Sequence, residues 1–297
     1  MLWWKNLKKP GKHSELLKNH TTFKIGGPAS LFFRPENLEE LEQIVGNARK
    51  RALKVLVLGA GSNLLVADQG VRAAVIKLDR PNFRKTAKIE NILEAGAGKP
   101  LNQLLAYCCA QGLSGLEFLA GIPGTIGGAL VGNAGVSLGA RKLAIGDLVE
   151  SVRVLDYNSG IKILKRHKLK FSYRRSNLAK YIILSACFKL IPRDKRAVQD
   201  NIAGYLARRR NTQDYSRPNA GCIFKNPQGD SAGKLIDACG LKGKKIGGAA
   251  VSRKHANFIL NEKDCTAEDI LALVKLIRKE VKKKYNILLE PEIKIWK

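Results

Sequence analysis

The chain has 297 residues, 45% hydrophobic and 26% charged, which suits two globular domains and excludes disorder throughout. Lys and Arg number 53 against 25 Asp and Glu, a formal net charge of +28 that any reading must address. No apolar run approaches the roughly 18 to 20 residues of a membrane span, and Lys5 interrupts the apolar start before a secretory core can form, so a cytoplasmic protein without a membrane span is expected.

In chain order, residues 1–20 are basic and without period and read as an N-terminal arm. Residues 21–34 suggest two short strand segments around the turn Gly26-Gly27-Pro28. Asn37 then caps a helix, with Glu40 at the capping-box position and Leu38, Leu41, Ile44, Val45 and Ala48 on one apolar face. A buried strand over 54–58 runs straight into Gly59-Ala60-Gly61. Short strands follow at 74–78 and 92–95, and 101–111 reads as a helix stopped by Gly112. Beyond the glycine-rich stretch 115–135, strands return at 149–157, 161–164 and 181–190. A basic helix over 194–210 precedes a Pro/Asn/Gly turn at 217–221. The final helix is the clearest: Thr266 caps it, Asp269 stands three residues on, and Ile270, Leu273, Val274, Ile277 and Val281 recur at helical spacing. A last strand is expected over 287–296, and the change to basic helical sequence puts a domain boundary near 190.

Chemistry concentrates in a few stretches. Gly59-Ala60-Gly61 after a strand suggests a dinucleotide fingerprint, but Leu64 stands where the third glycine belongs and β-like sequence follows, which disfavours a Rossmann domain. What remains is a turn in which Ser62 and Asn63 can offer donors to an anion, or simply a turn. Gly121, Gly124 and Gly127 recur every three residues, with Gly128, Gly132 and Gly135 after them and Pro123 and Thr125 between. Such a segment leaves its main chain open, either to cradle an extended phosphate-bearing cofactor or to pack tightly. In the segment from Ala220 to Pro227, a thiol (Cys222), an ammonium (Lys225) and an amide (Asn226) stand close together. A nearby cation tunes a thiol whose ordinary pKa is about 8.5, whereas a lone cysteine is more often a small core residue. Arg174 and Arg175 offer a guanidinium fork for a carboxylate, or are solvated, and of Glu290 and Glu292 on opposite faces of a strand one should point inward. The six cysteines contain no C-x-x-C, so reduced thiols and no metal are expected.

Taken together, these motifs identify a resemblance. From about Asn19 to the C-terminus the chain resembles the UDP-N-acetylenolpyruvoylglucosamine reductase (UDP-N-acetylmuramate dehydrogenase) family, flavoenzymes of peptidoglycan synthesis. The likeness rests on Asn19-His-Thr-Thr-Phe-Lys-Ile-Gly-Gly27, Leu58-Gly-Ala-Gly-Ser-Asn-Leu-Leu65, the stretch Gly115 to Gly128, Tyr173-Arg174, Ala220 to Pro227, Ser252-Arg-Lys-His-Ala-Asn-Phe258 and Leu289-Glu-Pro-Glu292. It implies an α+β fold: a two-lobed FAD-binding domain of the vanillyl-alcohol-oxidase-like (PCMH) type over 21–190, its lobes split near 79, and a smaller α+β substrate domain over 191–297.

The resemblance further implies FAD and NADPH as cofactors and UDP-N-acetylglucosamine enolpyruvate as substrate, with hydride passing from flavin N5 to C3 and a proton to C2. Carried over position by position, FAD contacts fall on Ile25, Gly26, Gly27, Gly59, Gly61, Ser62, Asn63, Gly121, Pro123, Gly124, Thr125, Gly127, Gly128, Asn133 and Ala134. Tyr173, Lys225, Asn226, His255 and Asn257 fall on substrate contacts. Arg174 and Glu292 support the enolate, and the proton donor, commonly serine in the family, is here Cys222. A thiol is the stronger acid and can deliver the proton while it stays neutral. About 48 residues separate Arg174 from Cys222, which matches the shorter subtype without an inserted tyrosine loop. Gly132 and Val136-Ser137 stand where bulkier residues are common, so local FAD contacts differ there.

The positive charge comes in short groups along the whole chain, such as Arg49-Lys50-Arg51 and Lys282-Lys283-Lys284, without interleaved aromatics. A solvated surface is the expected reading, with no nucleic-acid partner and a monomeric protein. The alternatives are another FAD-dependent oxidoreductase of the same fold and, from a different class, a basic nucleic-acid-binding protein.

Overall fold

The structure is a computed structural model that describes residues 3–5, 11–138, 141–157 and 160–297. The chain divides into two compact units, one of Met1–Lys12, Phe32–Ala60 and Ala74–Arg209, the other of His13–Leu31, Gly61–Ala73 and Arg210–Lys297. Helices and antiparallel strands are mixed in both, so the fold class is α+β. A four-stranded sheet has the order Lys12–Leu16, Pro28–Phe33, Val71–Lys77, Lys54–Leu58.

The first unit is built on a five-stranded sheet in the order Gly160–Lys165, Val149–Asp156, Ile182–Lys189, Ile92–Gly96, Thr86–Ile89, every neighbour antiparallel. Its strands alternate as a half-buried sheet must: Val152 and Val154 are buried, Arg153 between them is exposed. The pairing with Ile182–Lys189 shifts register after Arg153, and Leu155 is buried too. Helices α1 (Leu38–Lys50), α2 (Leu101–Ala110) and α3 (Ile126–Val131) follow in sequence. Leu101, Leu104 and Leu105 of α2 and Ile126 and Leu130 of α3 share a core with Leu93, Val152, Val154 and Phe188. Asn37 caps α1 as its sequence predicts, its side chain accepting from the Glu40 amide at 2.9 Å.

Helix α4 (Lys195–Thr212) follows the change of composition near 190, and the first compact unit includes it as far as Arg209. Val198 of α4 is buried, and Ile202, Tyr205 and Leu206 pack on the first core. That stripe has helical spacing, and the surrounding lysines and arginines concealed it. The expected split near 79 falls between Val71–Lys77 of the four-stranded sheet and Thr86–Ile89 of the five-stranded one.

In the second unit, helices α5 (Ala232–Ala238) and α6 (Ala267–Tyr285) pack with strands Lys245–Ile246, Ala249–Val251 and Ile259–Asn261. Ile270, Leu273, Val274, Ile277 and Val281 of α6 join Phe23, Leu65, Ile223, Phe224, Ile236 and Ile259 in one core. Thr266 and Asp269 form the capping box that the sequence predicts. The start of α6 has a second anchor: both carboxylate oxygens of Asp68 accept from the Ala267 amide at 2.9 and 3.0 Å. Within the expected 287–296 strand only Lys294–Trp296 is regular, paired in parallel with Leu64–Val66.

The expected N-terminal arm, residues 1–20, is described at 3–5 and 11–20. Trp3 is buried and stacks on Phe33, with ring centroids 5.5 Å apart, and Lys12–Leu16 is a strand. Leu17 is fully buried, so apolar residues among the lysines hold this segment, and 6–10 lie outside the described residues. No helix among the described residues is long and apolar enough to cross a membrane.

Candidate functional site

The glycine-rich stretch of the first unit forms a loop ending in the short helix α3. Its edges are bonded to the 97–101 segment: Gly127 N–H donates to Ala97 O (2.8 Å), Ile126 N–H to Lys99 O (3.1 Å) and Leu101 N–H to Gly124 O (3.0 Å). Thr125 is the N-cap of α3, its hydroxyl accepting from the Gly128 amide at 3.4 Å. A Cβ on Gly59 would lie 2.9 Å from that same hydroxyl, so the two glycine motifs, 66 residues apart, meet at Thr125. Gly121 and Pro123 are exposed, Gly124 half-buried and Gly128 exposed, leaving main chain accessible along the loop. A Cβ on Gly121 would approach Arg209 Cδ at 2.7 Å, which places a cationic side chain of α4 beside the loop.

The far end of this stretch leads to Arg174. Asn133 is buried with a left-handed backbone (φ 43°), and its side chain donates to Ser172 O (3.0 Å) and accepts from Gly146 N–H (3.0 Å). Ala134 is bonded to Ala129 and to Ile145, both at 2.8 Å. Arg174, also left-handed (φ 54°), is the turn residue between Phe171–Ser172 and Arg175–Ser176, and its Nη1 donates to Gly135 O at 3.1 Å. The guanidinium lies 5.3 Å from the centre of the exposed Tyr173 ring. The hairpin and this bond hold the arginine against the glycine-rich stretch.

In the second unit, Gly61 is needed for packing: its φ is +66° and a Cβ would run into the His20 carbonyl oxygen. Ser62 is half-buried, and Asn63 donates its amide to Glu292 O (3.3 Å) while its own carbonyl accepts from Lys294 N–H (3.0 Å). Ile25, Gly26 and Gly27 lie in a tightly packed segment of this unit. Ile25 is in the core, and Leu17 N–H and Lys18 N–H donate to the carbonyls of Gly27 (3.0 Å) and Gly26 (3.1 Å). Gly27 N–H itself donates to Ala67 O at 2.9 Å, and a Cβ on Gly27 would run into the Asp68 carbonyl oxygen, so this glycine is needed for close chain packing.

Cys222 to Lys225 run extended between two partners. On one side Cys222 bridges Phe258 and Ile223 N–H donates to Asn257 O (2.8 Å). On the other, Glu292 N–H donates to Ile223 O (2.7 Å) and Lys225 N–H to Glu290 O (2.9 Å). Cys222 and Glu292 are thus brought to neighbouring backbones, both half-buried. The Lys225 ammonium pairs with Glu290 at 2.6 Å, an exposed contact of little energetic weight. Asn226 Oδ1 accepts from Ala232 N–H (3.0 Å) at the start of α5. Asn257 is buried, and both ends of its amide are taken by Phe224: Oδ1 accepts from Phe224 N–H (2.9 Å) and Nδ2 donates to Phe224 O (2.8 Å).

Two supports lie within or beside the sequence motifs but are not among the expected site residues. Ser252, fully buried, donates to Asp214 Oδ2 at 2.5 Å and accepts from the amides of Lys254 (3.1 Å) and His255 (3.0 Å). Asp214 is buried too; burial alone would raise its pKa, but hydrogen bonds from Ser216 and Ser252 outweigh it and hold the carboxyl below its ordinary value. Burial, with Lys242 nearby, holds the His255 pKa below 6.5. His255 Nδ1 accepts from the Asn257 amide at 3.3 Å, which leaves the proton of the neutral ring on Nε2. Glu117 is the other support: buried, it accepts from Ser114 Oγ (2.6 Å) and Gly115 N–H (2.7 Å), anchoring the start of the glycine-rich stretch.

The two halves of this geometry have separate matches. An FAD binding domain model matches residues 29–164, and the model of the UDP-N-acetylenolpyruvoylglucosamine reductase C-terminal domain matches 213–296. The UDP-N-acetylenolpyruvoylglucosamine reductase of Desulforamulus reducens is 41% identical over 284 residues, 95% of this chain and 92% of that protein. The chain belongs to the UDP-N-acetylenolpyruvoylglucosamine reductase family. The Moorella thermoacetica member is 43% identical over 284 residues, 95% of this chain and 92% of that protein. The crystal structure of the reductase from Thermus caldophilus covers 97% of this chain with all of its own, at 36% identity and a TM-score of 0.83.

As a member of the UDP-N-acetylenolpyruvoylglucosamine reductase family, the protein is an FAD-dependent oxidoreductase of peptidoglycan synthesis. The glycine loop fits a diphosphate-bearing cofactor, since a Cβ on Gly59 would crowd Thr125 and the loop's main chain is open beside Arg209. Among the described residues no group of three His, Cys, Asp or Glu could hold a metal.

Proposed function

We propose that this protein reduces the enolpyruvyl group of UDP-N-acetylglucosamine enolpyruvate with electrons from NADPH, giving UDP-N-acetylmuramate. FAD, when bound, takes hydride from NADPH and supplies it from N5 to C3 of the enolpyruvyl group. In this reading Gly59, Gly61, Ser62, Asn63, the 121–128 loop, Asn133 and Ala134 hold FAD, and Arg209 adds positive charge beside the loop. As hydride arrives at C3, negative charge develops at C2 and in the carboxylate beside it, and fixed donors there stabilise it more than water does.

Arg174 meets that carboxylate, and its hairpin setting keeps the guanidinium from reorganising during the step. Cys222 gives its thiol proton to C2, and Glu292 stands beside it and supports the enolate. Tyr173, Lys225, Asn226 and His255 contact the nucleotide sugar, His255 as a neutral donor through Nε2. The observation that supports this reading is the 2.7 Å bond from Glu292 N–H to Ile223 O, since it joins the extended segments that carry Glu292 and Cys222.

Anaerobic half-reactions test it. NADPH should bleach the flavin absorbance, and the enolpyruvyl nucleotide alone should restore it with stoichiometric UDP-N-acetylmuramate. Recovery of the flavin with oxygen but not with the nucleotide would make the protein an oxidase of the same fold. A flavin-free protein with tight, steeply salt-dependent binding to DNA or RNA would refute both readings.

A further inference from the structure

We infer that Asn257 is a positioning residue for the Cys222 thiol and not a ligand of the substrate; the inference rests on the proposed role of Cys222 as proton donor. The side chain acts as a length of β-strand. Its Oδ1 and Nδ2 take up the N–H and C=O of Phe224 at 2.9 and 2.8 Å, and its own carbonyl takes up Ile223 N–H at 2.8 Å. Three bonds from one residue therefore fix the two residues that follow Cys222. Both ends of the amide are engaged by the Phe224 main chain and the residue is 2% exposed, so the side chain serves the interior rather than an open surface.

The requirement for such a clamp follows from the geometry. Ile223 and Phe224 are buried, and the Phe224 main chain would otherwise hold an unsatisfied donor and acceptor away from water. A proton donor also has to stay within hydrogen-bond reach of C2, and a displacement of about 1 Å costs on the order of a hundredfold in rate. The clamp is itself set from behind. Ser252 gathers the amides of Lys254 and His255, His255 Nδ1 accepts from Asn257 N–H, and Asp214 holds the Ser252 hydroxyl.

The experiment uses the FAD-loaded full chain and the variants Asn257→Ala, Cys222→Ala and the double variant. For Asn257→Ala, flavin reduction by NADPH should stay within about twofold of the parent protein and the nucleotide Kd within about threefold. Flavin reoxidation by saturating nucleotide should fall tenfold or more, and alkylation of Cys222 by iodoacetamide should speed up several-fold. In the Cys222→Ala background the same substitution should cost less than twofold, because a positioning residue has nothing left to position.

A tenfold rise in nucleotide Kd with reoxidation at saturation intact would overturn the inference and make Asn257 a substrate ligand. Equal losses in both backgrounds would overturn it as well. If Asn257→Ala does not fold, Asn257→Asp keeps the acceptor for Phe224 N–H and is read in the same way. If the parent flavin is not reoxidised by the nucleotide, the proposed function fails, while the alkylation rate of Cys222 still reports whether Asn257 holds the thiol: an unchanged rate refutes the clamp.

Discussion

Removing the Ser252 hydroxyl tests the support beneath the candidate site. Ser252 is fully buried, and Ser252→Ala strips Asp214 of a charge-assisted hydrogen bond now 2.5 Å long. Such bonds contribute about 1.5–3 kcal/mol. The substitution also removes the acceptor of two amides, at 3.0 and 3.1 Å. Lys254 is exposed and its amide recovers water, but the half-buried His255 amide loses about 1 kcal/mol. The expected loss is therefore about 3 kcal/mol, measured by urea unfolding and by amide hydrogen exchange over residues 252–258. A cycle with Asp214→Asn should return a coupling of about 1–2 kcal/mol, since the two residues act on one bond. The folded pKa of Asp214 is depressed, so its contribution is present above the ordinary value of 3.8 and is lost as pH falls through the folded value. The stability gap between parent and variant should close under acid. A loss below about 0.5 kcal/mol with unchanged exchange would refute the reasoning.

Three other outcomes are expected. Arg174→Ala should lower kcat/KM about a hundredfold or more while leaving NADPH reduction of the flavin near normal, as loss of one fixed charge-stabilising donor does; equal loss in both half-reactions would contradict its role. Iodoacetamide at pH 8 should abolish the enolpyruvyl half-reaction by modifying Cys222, and peptide mapping should find Cys108 and Cys265 intact, since burial pushes both to about 12 and leaves about one thiolate in ten thousand at that pH. The folded pKa of His255 lies below 6.5, so the unfolded chain takes up a proton first as pH drops through 6.5, and stability should decline over that range. His255→Gln should flatten that part of the curve, and an unchanged slope would refute the assignment.

Much of the frame was legible in the residues, for physical reasons that differ from element to element. Helices α1 and α6 announce themselves through a cap and an apolar stripe, both local features. The bound of the first unit was not legible, because the stripe Val198, Ile202, Tyr205 and Leu206 is narrow and lies among arginines. The glycine motifs announced close main-chain approach, but only three-dimensional packing shows what each glycine meets: Thr125 for Gly59, and the Asp68 main chain for Gly27. Asn257 shows the same limit. Its hydrogen-bond partner Phe224 lies 33 residues away and is a main chain, invisible to any pattern of side chains. Asp214 and Ser252, 38 residues apart, are a pair that only the fold brings together. The positive surplus comes in short groups along the chain; among its cations, Arg174 is bonded to Gly135 O, Arg209 lies beside Gly121 and Lys225 pairs with Glu290.

The central claim is that Cys222 protonates C2, and the sharpest test is Cys222→Ala in single-turnover experiments with the FAD-loaded protein. Flavin reduction by NADPH should proceed at the parent rate, and reoxidation by saturating enolpyruvyl nucleotide should slow by a hundredfold or more; Cys222→Ser should restore much of it. Reoxidation of Cys222→Ala at a rate within a few-fold of the parent would contradict the account.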